Sequence, residues 1–194
     1  MPFTLLSSRT YRHMPWKNGG GITTEIAVAD LPGGDAGQFL WRASIAYVTE
    51  SCAYSDFAGY ERFTTILEGK GLQLAVDGVS VTLLRRDPVF EFPGEAAVHG
   101  TLIDGPTRNF NLMVNRERAN GRLELVAGGA AVQIPGTGAA LVHALDGNVA
   151  VRTAEGEVQI PRGWTGRLDG LAGTVEPDQD AAALLALVNV LGEA

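Results

Sequence analysis

The sequence predicts a mainly β protein, and two observations support this fold class. Short segments rich in Val, Ile, Thr and aromatic residues recur roughly every 8 to 14 residues, as strands separated by turns do. Turn-forming residues lie between them, since 25 glycines and 9 prolines are scattered along the chain without a fixed period. This spacing favours a sandwich or a barrel over alternating strands and helices.

The expected strands follow one another along the chain. In the first two thirds they are ITTEIAVA (22–29), FLWRASIAYV (39–48), RFTTIL (62–67), LQLAV (72–76), VSVTLL (79–84), VFEF (89–92) and FNLMVN (110–115). Beyond about residue 120 the pattern restarts with LELVA, ALVHAL, VAVRTA, VQI and ALLALVNV. The segment SRTYRHM is expected to form one short turn of helix before Pro15.

Two stretches resemble each other, LEGKGLQLAVDG (67–78) and LDGNVAVRTAEG (145–156). Leu, an acid and Gly open both stretches, and an acid and Gly close both at the same spacing. The similarity reflects either a chance match between β-turns or two similar β lobes.

The overall charge argues against partners that bind through an extensive basic surface. The 194-residue chain has a net charge of −7 and a pI near 4.9. Nucleic acids and anionic membranes require a positive surface, so neither is expected as a partner, although a local basic pocket remains open. A composition that is 45% hydrophobic is sufficient for a substantial core.

Cysteine use and hydropathy favour a cytoplasmic protein. Cys52 is the single cysteine, so it forms no intramolecular disulfide and the chain has no multi-cysteine metal site. The N-terminal apolar stretch is too short for a signal peptide, and the run at 181–191 is too short to span a bilayer.

The sequence contains none of the usual catalytic or cofactor motifs. The three histidines, at 13, 99 and 143, are isolated, so we expect no metal site and no cofactor. GGGITT (19–24) lacks the Walker pattern, and GKG (69–71) lacks the dinucleotide fingerprint. No Gly-x-Ser-x-Gly motif indicates a nucleophile.

Alternation along three strands places polar side chains on shared faces. Arg42 lies on the face opposite Trp41, Arg62 shares a face with Thr64, and Asn111 lies on the face opposite the apolar residues of FNLMVN. Small residues, amides and Met beside these arginines are typical of a lined pocket. In the alternative interpretation, the arginines form salt bridges with acids. Candidate acids are Asp56, Glu61 and Glu68.

The segment WKNGGG (16–21) combines an aromatic residue, a lysine, an amide and three glycines. A run of glycines marks a turn or a close approach to the backbone. We interpret it as a turn that presents Trp16, Lys17 and Asn18 to the mouth of a barrel, and a plain turn before Ile22 is the alternative. The glycine amides could also form a nest for a small anion.

Five stretches together resemble the HutD/Ves family of cupin-like proteins over residues 14 to about 118. They are MPWKNGGGITTEI, FLWRASIA, YSDFAGYERFTTILEGKGLQL, FEFPGEAAVHG and FNLMVNR. The resemblance implies a bicupin, two packed jelly-roll β-barrels without the usual cupin metal ligands. The expected domains are 1–118, which carries the motifs, and 119–194, packed together as one compact unit.

The same resemblance implies a metal-free protein that binds a small carboxylate and modulates bacterial histidine utilisation. Urocanate and N-formylglutamate are the ligand class that it suggests. The ligand-binding residues expected by position are Trp16, Lys17, Asn18, Gly20, Trp41, Arg42, Arg62, Asn111 and Met113. Arginines would bind the carboxylate bidentately, amides would supply directional hydrogen bonds, and a tryptophan would stack on a planar ligand.

The chain departs from the family pattern in two places. Asn109 stands where an Asp commonly precedes Phe-Asn-Leu-Met, which puts any role of that acid in doubt. SCAYSDFAG replaces a glycine-proline turn and FPG.

Two other function classes stay open. In the first, Lys17 acts as a base or Schiff-base former in a metal-independent isomerase or hydrolase, with Glu25 or Glu61 as its partner. In the second, the chain is an interaction scaffold whose arginines are paired internally. Binding without catalysis is the favoured expectation, and a homodimer is expected only by analogy with cupins.

Overall fold

A computed structural model describes residues 3–35 and 37–192 of the chain. The protein is mainly β and divides into two compact units. One unit is Arg12–Ala119, and the other combines the residues up to Tyr11 with those from Asn120 onward. The predicted boundary after residue 118 lies within two residues of the observed one. The prediction placed the N-terminal residues up to Tyr11 in the first domain, whereas the structure groups them with the C-terminal residues.

The strands are numbered in chain order. They are β1 (Phe3–Leu6), β2 (Arg12–Pro15), β3 (Gly21–Asp30), β4 (Phe39–Val48), β5 (Cys52–Ala53), β6 (Tyr60–Glu68), β7 (Leu72–Val76), β8 (Val79–Leu83), β9 (Phe90–Pro93), β10 (Val98–Leu102), β11 (Thr107–Asn115), β12 (Ala119–Ala127), β13 (Val132–Ile134), β14 (Ala139–Asp146), β15 (Val149–Thr153), β16 (Gly156–Ile160), β17 (Thr165–Asp169), β18 (Gly173–Pro177) and β19 (Ala182–Val190). A short 3-10 helix, Ser8–Thr10, lies between β1 and β2.

Every strand expected in the first two thirds of the chain is present within a few residues of its predicted bounds. The short helical turn expected in SRTYRHM is present as the 3-10 helix Ser8–Thr10, and the rest of the segment does not continue it. Arg12 and His13 pair with Glu25 and Thr24 on β3, so this part of the segment is extended. Tertiary pairing thus overrides the local preference of a short segment.

The Arg12–Ala119 unit contains two sheets. The larger has the strand order β2-β3-β4-β11-β6-β9, and the smaller has the order β5-β10-β7-β8. A buried apolar cluster joins them, with two members from the larger sheet and four from the smaller. The cluster is Ile66, Phe92, Leu72, Leu74, Leu83 and Val98.

The other unit also contains two sheets. Their orders are β1-β17-β14-β19-β12 and β13-β18-β15-β16. One apolar core draws residues from both sheets, including Val142 and Leu185 from the larger and Val151 and Val175 from the smaller.

The two units share a strand order. The series β4-β11-β6-β9 in one corresponds to β12-β19-β14-β17 in the other, and β5-β10-β7-β8 corresponds to β13-β18-β15-β16. The similar stretches 67–78 and 145–156 contain β7 and β15, which occupy equivalent places in these orders. The internal similarity of the sequence therefore coincides with a repeated topology.

In the described part of the chain, no helix has the length and apolar character needed to cross a bilayer. The cytoplasmic location stays a prediction.

We predict that Val98→Ala lowers the free energy of unfolding by about 2 kcal/mol, because it removes buried methyl groups from the cluster that joins two sheets. Val98 is 5% exposed and belongs to that cluster. Val79→Ala is the matched control on the same sheet, and Val79 is 66% exposed. Urea unfolding followed by circular dichroism measures both, and equal losses would contradict the proposed core.

Candidate functional site

A cavity of about 530 Å³ lies within the Arg12–Ala119 unit. This volume falls within the range of small-molecule sites. Seven of the residues expected to bind ligand line it: Trp16, Lys17, Asn18, Arg42, Arg62, Asn111 and Met113. We call it the arginine cavity. Of the described residues that line it, three are cationic and none is Asp or Glu.

Strand register brings the two arginines to the same level of the larger sheet. Met113 on β11 is the register partner of Arg42 on β4 and of Arg62 on β6. Directly opposed residues of antiparallel strands project to the same face. Both arginines consequently reach the arginine cavity from adjacent positions on either side of Met113.

Arg42 is held by sulfur and aromatic contacts. Its Nη2 donates to Met113 Sδ at 3.5 Å. Its Cζ lies 4.8 Å from the ring centroid of Phe39 and 5.3 Å from that of Phe57. Burial lowers the pKa of Arg42, and the negative charge of Glu25 opposes this shift.

Arg62 is more deeply buried, with 8% of its surface exposed. Its Nη1 donates to the backbone oxygen of Ser55 at 3.3 Å. Its Cζ lies 5.2 Å from the ring centroid of Tyr54 and 5.6 Å from that of Phe57. Burial, and to a smaller extent the charge of Arg42, lowers the pKa of Arg62 to about 10, so its guanidinium is still charged at neutral pH.

No carboxylate in residues 3–35 and 37–192 lies within 4.0 Å of the guanidinium nitrogens of Arg42 or Arg62. Two of the acids considered as partners contact other arginines instead. Glu61 lies 3.6 Å from Arg116, and Glu68 lies 3.5 Å from Arg108. The internal salt bridges of the alternative interpretation are therefore not formed.

An amide network lies beside the arginines. Asn109 Nδ2 donates to Thr64 Oγ1 at 3.1 Å and to Asn111 Oδ1 at 3.2 Å. Asn111 Nδ2 donates to the backbone oxygen of Asn109 at 3.4 Å. Because Asn109 is neutral, this network adds no negative charge to the arginine cavity.

Four buried side-chain atoms in the described part of the chain have no hydrogen-bond partner. They are Arg42 Nε, Arg62 Nε, Tyr54 Oη and Asn109 Oδ1. All four belong to residues that line the arginine cavity. Each unsatisfied group costs about 1–3 kcal/mol, so their concentration in one place indicates a functional requirement.

The WKNGGG segment forms one wall. Trp16 Nε1 donates to Thr23 Oγ1 at 2.8 Å, which fixes the indole. A Cβ atom on Gly21 would lie 3.0 Å from two atoms of that indole and 2.5 Å from the backbone oxygen of Tyr47. Gly21 is therefore required for the close packing of Trp16, and Lys17 lines the cavity next to it.

Two residues expected at the site do not line the cavity. Gly20 contributes through the turn, where its N–H donates to Asn18 Oδ1 at 3.1 Å. Trp41 is 2% exposed and neighbours Arg42 on β4, so it projects to the opposite face of the strand. Trp41 is therefore not placed to stack on a ligand in the cavity. Trp16 lines the cavity, so stacking on a ligand stays a prediction for Trp16.

Sequence reasoning missed several lining residues outside the regular alternation. These are Tyr54, Ser55 and Phe57, which lie between β5 and β6. All three belong to the stretch YSDFAGYERFTTILEGKGLQL that resembles the family, and this resemblance was the one signal that pointed to the segment.

The described residues contain no group of three or more His, Cys, Asp or Glu side chains that could hold a metal ion. Two of the histidines contact threonines: His13 Nδ1 lies 2.9 Å from Thr24 Oγ1, and His143 Nδ1 lies 2.9 Å from Thr165 Oγ1.

Comparison with known proteins identifies a family and similar structures. The family model described as HutD matches residues 8–184. An uncharacterized 21.2 kDa protein of the hutC 3' region of Pseudomonas putida is 40% identical over 155 residues, which cover 80% of each chain.

Two solved structures are similar over nearly their whole length. A conserved protein of unknown function from Pseudomonas aeruginosa PAO1 has a TM-score of 0.87 and 34% identity, covering 96% of this chain and 98% of the other. HutD from Pseudomonas fluorescens SBW25, in a formate condition, has a TM-score of 0.83 and 33% identity, covering 98% and 100%.

More distant similarity extends to cupins. A cupin 2 conserved barrel domain protein from Leptotrichia buccalis has a TM-score of 0.59 and 12% identity, covering 87% of this chain and 89% of the other. At this identity the likeness concerns the fold alone, which is cupin-like.

We predict that Gly21→Ala displaces Trp16 and lowers the free energy of unfolding by about 1–3 kcal/mol, as other overpacked substitutions do. Gly20→Ala is the neighbouring control, because its new Cβ would meet no atom closer than 3.5 Å. Thermal unfolding and tryptophan fluorescence compare the two variants. Equal stability of both would show that the indole is not packed against Gly21.

Proposed function

Since this chain belongs to the HutD family, we propose that it binds a small carboxylate through Arg42 and Arg62. The observation that carries the proposal is this pair of guanidinium groups, which have no carboxylate within 4.0 Å among the described residues. Buried charges are costly unless they are paired, and a guanidinium matches a carboxylate bidentately. An anionic ligand would supply the missing pairing.

The remaining lining supports an anion over other ligands. Lys17 adds a third positive charge, while the chain as a whole carries a net charge of −7. Three cationic side chains are therefore grouped in one cavity of an otherwise acidic chain. Trp16 and Phe57 contribute aromatic surface suited to a planar ligand.

We favour binding over catalysis. Lys17 lines the cavity, but Glu61, one of its suggested partners, is 3.6 Å from Arg116. Burial raises the pKa of Tyr54 to about 12, which makes its hydroxyl a poor general base near neutral pH.

The biological setting is part of the proposal. The name of the Pseudomonas putida relative places it in the hutC 3' region, and a similar solved structure is named HutD. These names support the proposal of a role in modulating histidine utilisation. We propose urocanate or N-formylglutamate as the ligand class. We also propose that the repeated strand order represents two cupin jelly rolls in one chain.

We predict that a binding carboxylate raises the thermal unfolding midpoint by roughly 5 to 10 °C at one hundred times its dissociation constant. Formate, urocanate and N-formylglutamate are the probes, tested by differential scanning fluorimetry and calorimetric titration. Arg42→Met and Arg62→Met should each weaken binding by about 2–5 kcal/mol.

Arg122→Met is the matched control for these arginine variants. Arg122 is exposed, pairs with Glu124 and lies outside the arginine cavity. It should bind as the wild type does. No shift with any probe, or full binding by Arg62→Met, would refute the carboxylate site.

We predict that Arg62→Met stabilises the ligand-free protein by about 1 kcal/mol or more at neutral pH, because replacing a buried unpaired charge by an apolar side chain removes its desolvation cost. Burial in the folded state lowers the pKa of Arg62 to about 10, so the folded state binds fewer protons than the unfolded state at high pH. The stability of the wild type should then rise relative to Arg62→Met as the pH increases above about 10. Urea unfolding at pH 7 and pH 11 measures this difference. A variant less stable than the wild type by 1 kcal/mol or more at pH 7 would contradict it.

A further inference from the structure

The hydrogen bonds of Asn109 fix the orientation of its amide. Its Nδ2 donates to Thr64 Oγ1 and to Asn111 Oδ1. The Thr64 hydroxyl donates its own proton to the backbone oxygen of Phe110 at 3.2 Å, so towards Asn109 it can only accept. An amide turned by 180° would place Oδ1 against two acceptors. Oδ1 therefore lies on the side of the amide away from Thr64 and Asn111.

This oxygen has no donor in the described part of the chain. Asn109 lines the arginine cavity and is 1% exposed, and its Oδ1 is buried without a hydrogen-bond partner. Bulk water does not reach an atom shielded in this way. Because Asn109 lines the arginine cavity, a bound ligand is the nearest source of a donor. A small turn of the Asn109 side chain towards the cavity would bring Oδ1 within its reach and remove the cost of an unsatisfied buried acceptor.

Asn109 lies at a distance from the arginines along β11. Met113, at the level of both arginines, is four residues further along this strand. At about 3.3 Å per residue, the two backbone positions are roughly 13 Å apart. The lining thus has a cationic region around Met113 and an acceptor region at Asn109, with Asn111 between them.

We propose that the ligand is bifunctional, with a carboxylate that binds Arg42 and Arg62 and a hydroxyl or N–H group that donates to Asn109 Oδ1. The inference rests on the proposed carboxylate site and adds to it the second half of the ligand. A simple alkyl carboxylate would leave Oδ1 unsatisfied.

Matched pairs of carboxylates of increasing length test the proposal. In each pair a terminal hydroxyl is exchanged for a methyl group: glycolate with propionate, 4-hydroxybutyrate with pentanoate, and 6-hydroxyhexanoate with heptanoate. Calorimetric or ligand-observed NMR titration of the wild-type protein gives the six affinities. We expect at least one hydroxy acid to bind about tenfold more tightly than its partner. Hydrophobic burial would favour the methyl member, so it cannot produce this preference.

Substitutions at Asn109 assign the preference to its oxygen. Asn109→Leu has a similar volume and no acceptor, so the preference should fall below about twofold while the carboxylate still binds. Asn109→Asp keeps an oxygen acceptor, so it should retain the preference while its negative charge weakens binding of every carboxylate. Asn120→Leu, at an exposed position outside the cavity, is the control and should behave as the wild type does.

The outcomes separate the two proposals. If none of the six acids and none of the earlier probes binds the wild type, the carboxylate site itself is wrong. If carboxylates bind but the members of every pair bind equally, the donor inference is overturned and the carboxylate site stands. A preference that persists in folded Asn109→Leu also overturns it. The wild-type comparison decides the matter even if Asn109→Leu does not fold.

Discussion

The structure of the candidate site depends on one constraint: two guanidinium groups lie at the same level of one sheet, and no carboxylate of residues 3–35 and 37–192 lies within 4.0 Å of either. Strand register imposes this arrangement, since Arg42 and Arg62 both oppose Met113. A shift of one residue on β4 or β6 would turn its arginine to the other face of the sheet. Register, more than any single contact, therefore determines whether the cavity is cationic.

The opposite faces of the same strands explain why the register is firm. Leu112 on β11 pairs with Ala43 on β4 and with Phe63 on β6. Leu112 and Ala43 are completely buried, and Phe63 is 4% exposed. Apolar burial on one face holds the strands in place. The polar side chains on the other face are thereby held in position along the arginine cavity. The unsatisfied atoms of Arg42, Arg62, Tyr54 and Asn109 are tolerated because the apolar face provides the stability.

Much of this could be predicted from the sequence, because a period of two residues is a local property. Alternation placed Arg42, Arg62 and Asn111 on polar faces, and the glycine run at 19–21 marked the turn. Whether acids neutralise the arginines depends on distances between strands, which no local pattern contains. Alternation also placed Trp41 on the face opposite Arg42, whereas the family resemblance counted both as ligand-binding. Trp41 is buried and does not line the cavity, as the alternation predicts.

Other elements escaped prediction for specific physical reasons. β10 contains Gly100, which weakens its strand signal, yet a Cβ atom there would lie 2.9 Å from Tyr54 Cε1. This glycine therefore serves the packing of a cavity residue 46 positions earlier in the numbering. β1 pairs with β17 near the other end of the chain, and neither segment reveals such a partner by its composition.

The ring of Phe57 is shared by both guanidinium groups, at 5.3 Å from Arg42 Cζ and 5.6 Å from Arg62 Cζ. Its own backbone is anchored, because its N–H donates to the oxygen of Gly94 at 3.0 Å and its oxygen accepts from Tyr60 at 3.1 Å. A free arginine side chain carries about 2 kcal/mol of rotamer entropy, and contact with a fixed ring removes part of it before any ligand arrives. The cationic region is thus preorganised, so an incoming anion meets a rigid pair whose spacing selects among ligands by shape.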